Sequence, residues 1–127
     1  MPSRPSLLIA DDQPDLRMLL RLTFEGAGYA LREAADGDTA LAACKQQAPD
    51  VALLDVMMPG LDGYELCRAI KGDPRLRGTM VVLMTAGDQA IEREKARVAG
   101  ADLYVAKPFS PSQLLRQVEA LFASRRP

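Results

Sequence analysis

Val51-Ala52-Leu53-Leu54-Asp55-Val56-Met57-Met58-Pro59-Gly60 is the stretch on which the fold turns. Four apolar residues run without interruption to a carboxylate, and a Pro-Gly turn follows shortly after. An alternating pattern would bury one face of a strand. An unbroken run of this length suits a strand buried on both faces, as in a parallel sheet covered by helices. Working outward, Leu7-Leu8-Ile9-Ala10, Met80 to Met84 and Leu103-Tyr104-Val105-Ala106 repeat the pattern. Ala30 to Ala34 is more polar and reads as an edge strand.

Segments of helical period lie between these runs. Leu16, Leu19, Leu20 and Thr23 share a predicted face that ends near Gly26-Ala27-Gly28, a C-cap signal. Asp38 to Gln47 carries Ala40, Leu41 and Cys44, and Asp62 to Lys71 carries Leu66, Cys67 and Ile70. Gln89 to Ala99 is the most charged, with Ile91 and Val98 as its predicted apolar anchors. Ser110 to Ala123 aligns Leu114, Leu115, Val118, Leu121 and Phe122, and Ser110-Pro111-Ser112-Gln113 is a capping-box signature. Strands alternating with helices imply a doubly wound α/β domain with right-handed crossovers.

The 127 residues show no compositional break, repeat or internal linker. They read as one domain over 1–127, with a core of about 6–123 and 124–127 as a tail or linker stump. A net charge of −1, from 16 basic and 17 acidic residues, leaves no basic stripe for direct nucleic-acid binding. No apolar run approaches the roughly 20 residues of a membrane span. The start, Met1-Pro2-Ser3-Arg4-Pro5, lacks a signal-peptide cleavage pattern, so the expected location is cytoplasmic. Cys44 and Cys67 have no metal-ligand spacing and read as plain packing or surface residues. Histidine is absent, which removes the commonest general base and any phosphohistidine on this chain.

In open α/β sheets, ligands bind beyond the carboxyl ends of the strands. There the sequence places Asp11-Asp12, Asp55, Thr85-Ala86 and Lys107-Pro108. Like charges about 4 Å apart cost up to roughly 4 kcal/mol at an effective dielectric of about 20. Clustered carboxylates therefore call for a cation, and oxygen-only ligands with room for water and phosphate suit Mg²⁺. Lys107 offsets part of the charge and can meet a phosphoryl oxygen as a point charge. The chemistry that needs such a set is phosphoryl transfer to a carboxylate, with Asp55 as nucleophile. Taken singly, each residue has a plainer reading. Asp12 could cap the helix that begins near Pro14. Asp55 could be a polar strand end, and Thr85 could serve strand propensity.

The chain resembles the receiver domains of bacterial two-component response regulators over roughly residues 6 to 123. The resemblance rests on Asp11-Asp12, Asp55 within Leu54-Asp55-Val56-Met57-Met58-Pro59-Gly60-Leu61-Asp62-Gly63, Thr85-Ala86 and Lys107-Pro108-Phe109. It implies a flavodoxin-like (βα)5 fold with a five-stranded parallel sheet of order 2-1-3-4-5. It implies that Asp12, Asp55 and the backbone carbonyl of Met57 bind Mg²⁺, with Asp11 acting through a bound water. Thr85 and Lys107 would contact the phosphoryl oxygens, and the Lys107-Pro108 bond would be cis. Thr85 and Tyr104 would form a switch that alters the face made by the fourth helix, fifth strand and fifth helix.

The implied donor is a phosphohistidine on a histidine kinase or phosphotransfer protein. The implied recipient of the signal is an output domain or protein, and phosphorylation-dependent dimerisation belongs to the same pattern. Such a chain catalyses its own phosphorylation and dephosphorylation and turns over no external substrate. Gln13 stands where many relatives carry a third acid. Met57 and Gly87 offer no group to orient water, so slow self-dephosphorylation is expected. The alternative within the family is a degenerate receiver, a binding module that takes no phosphate. A phosphatase with an aspartyl nucleophile would want a second acid at Met57, and no Gly-x-Gly-x-x-Gly or Walker-type loop follows the first strand.

Overall fold

Each apolar run forms a strand: β1 (Ser6–Ala10), β2 (Ala30–Ala34), β3 (Val51–Asp55), β4 (Met80–Thr85) and β5 (Leu103–Ala106). The helices between and after them are α1 (Pro14–Gly26), α2 (Gly37–Gln46), α3 (Gly63–Gly72), α4 (Ala90–Ala99) and α5 (Pro111–Ser124). The structure is a computed structural model that describes residues 4–87 and 90–124. All strand pairings are parallel, in the expected order β2-β1-β3-β4-β5.

Successive side chains on a strand point to opposite faces of the sheet. Leu8, Ala10, Ala52, Leu54, Val81 and Leu83 therefore face a core that holds Ala40 and Cys44 of α2, Leu66, Cys67 and Ile70 of α3, and Ala96 and Ala99 of α4. Leu7, Ile9, Val51, Leu53, Met80, Val82 and Met84 face the opposite core with Leu20 and Phe24 of α1 and Leu114 and Val118 of α5. Two filled faces explain why β1, β3 and β4 read as unbroken apolar runs. Edge strand β2, with intermediate to exposed Leu31, Arg32 and Glu33, could afford polar residues.

Two sequence expectations are corrected. In α1 the buried residues are Leu20 and Phe24, while Leu19 is 48% exposed. In α4 the predicted anchors Ile91 and Val98 are 59% and 62% exposed. Ala96 and Ala99, three residues apart on one helical face, meet the core instead. Small residues on the buried stripe leave the larger apolar ones outside. The predicted first residue of that helix, Gln89, lies outside the described residues, as do Met1-Pro2-Ser3 and Arg125-Arg126-Pro127.

Local chemistry fixes the helix starts that frame the site. Asp36 caps α2 by accepting the Thr39 N–H at 2.7 Å. Asp62 and Glu65 form a reciprocal capping box on α3. Ser110 Oγ accepts the Gln113 N–H at 3.3 Å before α5. Ala10 pairs with Leu54, Asp55 with Met84, and Thr85 with Ala106. This register brings the carboxyl ends of β1, β3, β4 and β5 to one edge. Among the described residues, no helix is long and apolar enough to cross a membrane.

Candidate functional site

Asp11 follows β1 directly and is fully buried, whereas its neighbour Asp12 is exposed. Asp11 Oδ1 accepts the Gln13 N–H at 2.8 Å, and the Asp11 carbonyl accepts Arg17 Nη1 at 2.7 Å. These bonds pin the β1–α1 turn. Asp12 does not cap α1, because the N-cap residue is Gln13 and it makes no side-chain cap. The plain capping reading of Asp12 is thereby removed.

Asp55 ends β3, is 3% exposed, and its Oδ1 accepts the Met57 N–H at 3.2 Å. Asp11, Asp12 and Asp55 each offer a carboxylate oxygen, and these oxygens lie within 4.8 Å of one another. Burial pushes the Asp55 carboxyl above its usual range and the charge of Asp11 adds to this, while the Met57 N–H and Lys107 act against it. An all-oxygen donor set of this charge suits a hard divalent cation. The chemistry of the donors therefore fits Mg²⁺.

Lys107 is the counter-charge. Its Nζ lies 3.1 Å from Asp55 Oδ2, 3.4 Å from Asp11 Oδ2 and 3.4 Å from Gln13 Oε1. Its backbone N–H donates to the Thr85 carbonyl at 2.6 Å, and the Lys107–Pro108 bond is cis. Thr85, 2% exposed, accepts a 3.4 Å bond from the Gly87 N–H on its hydroxyl. It lines a cavity of about 530 Å³ together with Met57, Met58, Tyr64, Gly87 and Glu92. Tyr104 is half-buried, donates its hydroxyl to the Gly87 carbonyl, and carries the Arg93 guanidinium 5.7 Å from its ring.

Sequence reasoning missed two parts of this region. A Cβ on Gly63 would stand 2.6 Å from the Asp55 carbonyl oxygen and 2.7 Å from Val56 Cα. The α3 start thus packs backbone to backbone against the acceptor loop. The Asp62-Gly63 pair marked a turn, but nothing in it announced this approach. Tyr64 on α3 donates its hydroxyl to Glu92 on α4, which forms a wall of the cavity beside Thr85. These residues are remote in sequence and carry no shared motif.

The sequence pattern of the response regulator receiver domain matches residues 7–119. The chain belongs to the response regulator receiver domain family. Among curated relatives, the receiver is 40% identical over 115 residues to the transcriptional regulatory protein ResD of Bacillus subtilis (strain 168), covering 91% of this chain and 47% of that protein. It is 36% identical over 117 residues to the DNA-binding response regulator MtrA of Mycolicibacterium smegmatis, covering 92% of this chain and 50% of that one. The receiver therefore spans about half the length of these relatives.

Solved receivers superpose closely. A putative response regulator from Chloroflexus aurantiacus J-10-fl gives a TM-score of 0.89 at 36% identity, covering 95% of this chain and 99% of that one. The chemotaxis response regulator CheY4 of Vibrio cholerae gives 0.88 at 28% identity, covering 94% and 99%. The flavodoxin-like fold and the place of this chain in two-component signalling follow from these matches. The pocket formed by Asp11, Asp12 and Asp55 fits a phosphorylation site of that family.

Proposed function

We propose that this receiver accepts a phosphoryl group on Asp55 from a phosphohistidine of a histidine kinase or phosphotransfer protein, in a Mg²⁺-dependent reaction. The observation that carries the reading is the convergence of Asp11, Asp12 and Asp55 within 4.8 Å, with Lys107 Nζ 3.1 Å from the acceptor oxygen. A carboxylate oxygen of Asp55 attacks phosphorus. The bond from phosphorus to the imidazole nitrogen breaks, and its electron pair stays on that nitrogen. Lys107 meets the charge on the phosphoryl oxygens, and the Thr85 hydroxyl donates to one of them. Asp11, Asp12, Asp55 and the Met57 carbonyl would hold Mg²⁺, which when bound supplies neutralisation of phosphoryl charge.

A phosphoryl group shifts a two-state equilibrium only by binding the states differently. Drawing Thr85 toward it frees the space into which Tyr104 turns, and the α4-β5-α5 face changes for the output partner or for a second copy. Residues 1–127 act in this reading as one domain, in the cytoplasm where a kinase phosphohistidine is available. The donor docks on α1, which begins directly beyond the acids and displays Met18, Leu19 and Leu22 at 64%, 48% and 63% exposure. An apolar ridge of this kind suits the face of a partner helix.

The test is incubation with Mg²⁺ and a small acyl-phosphate donor, read by intact mass. One phosphoryl adduct is expected on the wild type and none on Asp55→Asn. No adduct on the wild type, or an equal adduct on the variant, refutes the reading and leaves a receiver that acts as a phosphate-independent binding module.

A further inference from the structure

Sulfur is placed unevenly in this molecule. Among the described residues, Cys44 and Cys67 are buried, and burial pushes both thiols up to about 11. Met80 and Met84 are buried and Met58 is half-buried. Met18 and Met57 stand in solvent, 64% and 71% exposed. Met18 lies out on α1. Met57 lies two residues after Asp55, holds Asp55 Oδ1 through its N–H, and lines the cavity shared by Thr85 and Gly87. Among the described residues, a Cβ on Gly87 would meet nothing within 4 Å. Among the described residues, the most exposed thioether therefore sits two residues from Asp55, on the cavity lined by Thr85 and Gly87.

We propose that Met57 is a peroxide-sensitive modification site that sets the lifetime of the phosphorylated state; this rests on the phospho-accepting reading above. The Met57 sulfur attacks one oxygen of a hydroperoxide, the O–O bond breaks, and the peroxide leaves reduced, as water when it is hydrogen peroxide. The thioether is oxidised to a sulfoxide. An apolar side chain thereby becomes a polar one with a hydrogen-bond-accepting oxygen. In the reduced protein neither Met57 nor Gly87 has a side-chain group to hold a water. In the oxidised protein the sulfoxide oxygen accepts a hydrogen bond from one and orients it toward phosphorus. That water attacks, the bond from phosphorus to Asp55 oxygen breaks, and the carboxylate leaves with the electron pair. The water's proton ends on inorganic phosphate. Oxidation shortens the signal.

The experiment phosphorylates the 127-residue chain with a small acyl-phosphate donor and Mg²⁺, with and without prior hydrogen peroxide, and removes donor. Adduct decay is followed by intact mass, and peptide mass locates the sulfoxide. Wild type carrying the Met57 sulfoxide is expected to lose its phosphoryl group several-fold faster than untreated wild type. Met57→Leu, treated and untreated, is expected to decay alike. Met18→Leu is expected to keep the peroxide response. Unchanged decay in wild type with the Met57 sulfoxide verified overturns the proposal, as does acceleration that persists in Met57→Leu. No adduct on untreated wild type is a different result: it refutes phosphorylation of Asp55 itself.

Discussion

Lys107 holds its ammonium 3.1 Å from Asp55 Oδ2, although the two residues belong to different strand ends at opposite sides of β4. The same ammonium lies 3.4 Å from Asp11 Oδ2. One side chain, 21% exposed, thus spans two carboxylates that are almost wholly buried. Burial and the neighbouring Asp11 charge still leave the Asp55 carboxyl above its usual range. Asp11, Asp12 and Asp55 thus gather three carboxylates around one ammonium, an excess of negative charge that a bound cation would offset.

The first prediction concerns stability against pH. Because the folded-state pKa of Asp55 is raised, the native state binds its proton more readily than the unfolded chain does. The stabilisation from that proton is present at low pH and is lost as pH rises through the raised pKa. Asp55→Asn cannot ionise, so without divalent cations it should be more stable than wild type at pH 7. The margin should shrink as pH falls toward 3.8, the ordinary value for this group. Urea midpoints across pH provide the check, and a margin that grows on acidification would contradict it.

The second concerns the cation. Asp11→Asn and Asp12→Asn each remove a negative charge from the oxygen cluster. Each should weaken Mg²⁺ binding about 10- to 100-fold by titration calorimetry. Wild-type affinity in either variant would show that the carboxylate concerned takes no part.

The third concerns water at the acceptor. Met57 is 71% exposed, and among the described residues a Cβ on Gly87 would meet nothing within 4 Å. Gly87→Glu combined with Met57→Asn introduces two polar groups that can orient a nucleophilic water. Phosphoryl loss should accelerate, about 10-fold or more. Decay as slow as wild type would remove the role assigned to these positions.

The fourth concerns the donor. Met18→Asp with Leu22→Asp places charge on the exposed ridge of α1, away from the buried residues Leu20 and Phe24. Transfer from a phosphohistidine protein should fall by about 10-fold or more, since charge on an apolar docking face costs more than 1 kcal/mol. Uptake from a small acyl-phosphate donor should hold. Equal loss with both donors would point to a defect in the site.

The fifth concerns packing beneath the acceptor. Gly63→Ala sets a methyl group 2.6 Å from the Asp55 carbonyl oxygen, so the β3–α3 loop must shift. A loss of about 1–3 kcal/mol in chemical denaturation is expected, with slower phosphoryl uptake. Wild-type stability would show that the loop yields freely.

The amino-acid sequence by itself determined the architecture, because a strand buried on both faces must be apolar at every position. The unbroken runs at β1, β3 and β4 could be recognised without coordinates, and so could their order among the helices. It also named Asp11, Asp12, Asp55, Thr85 and Lys107, since strand ends of this fold share one edge. Tertiary structure alone decided what periodicity leaves ambiguous. Ile91 and Val98 faced outward because Ala96 and Ala99 gave α4 its contact with the sheet. Gln13 took the N-cap position of α1, and Asp12 was left exposed beside Asp55. The reach of Lys107 to Asp55, the press of Gly63 on the acceptor loop and the exposure of Met57 are distances across the fold. Such distances depend on how the elements pack, and no local pattern in the chain encodes them.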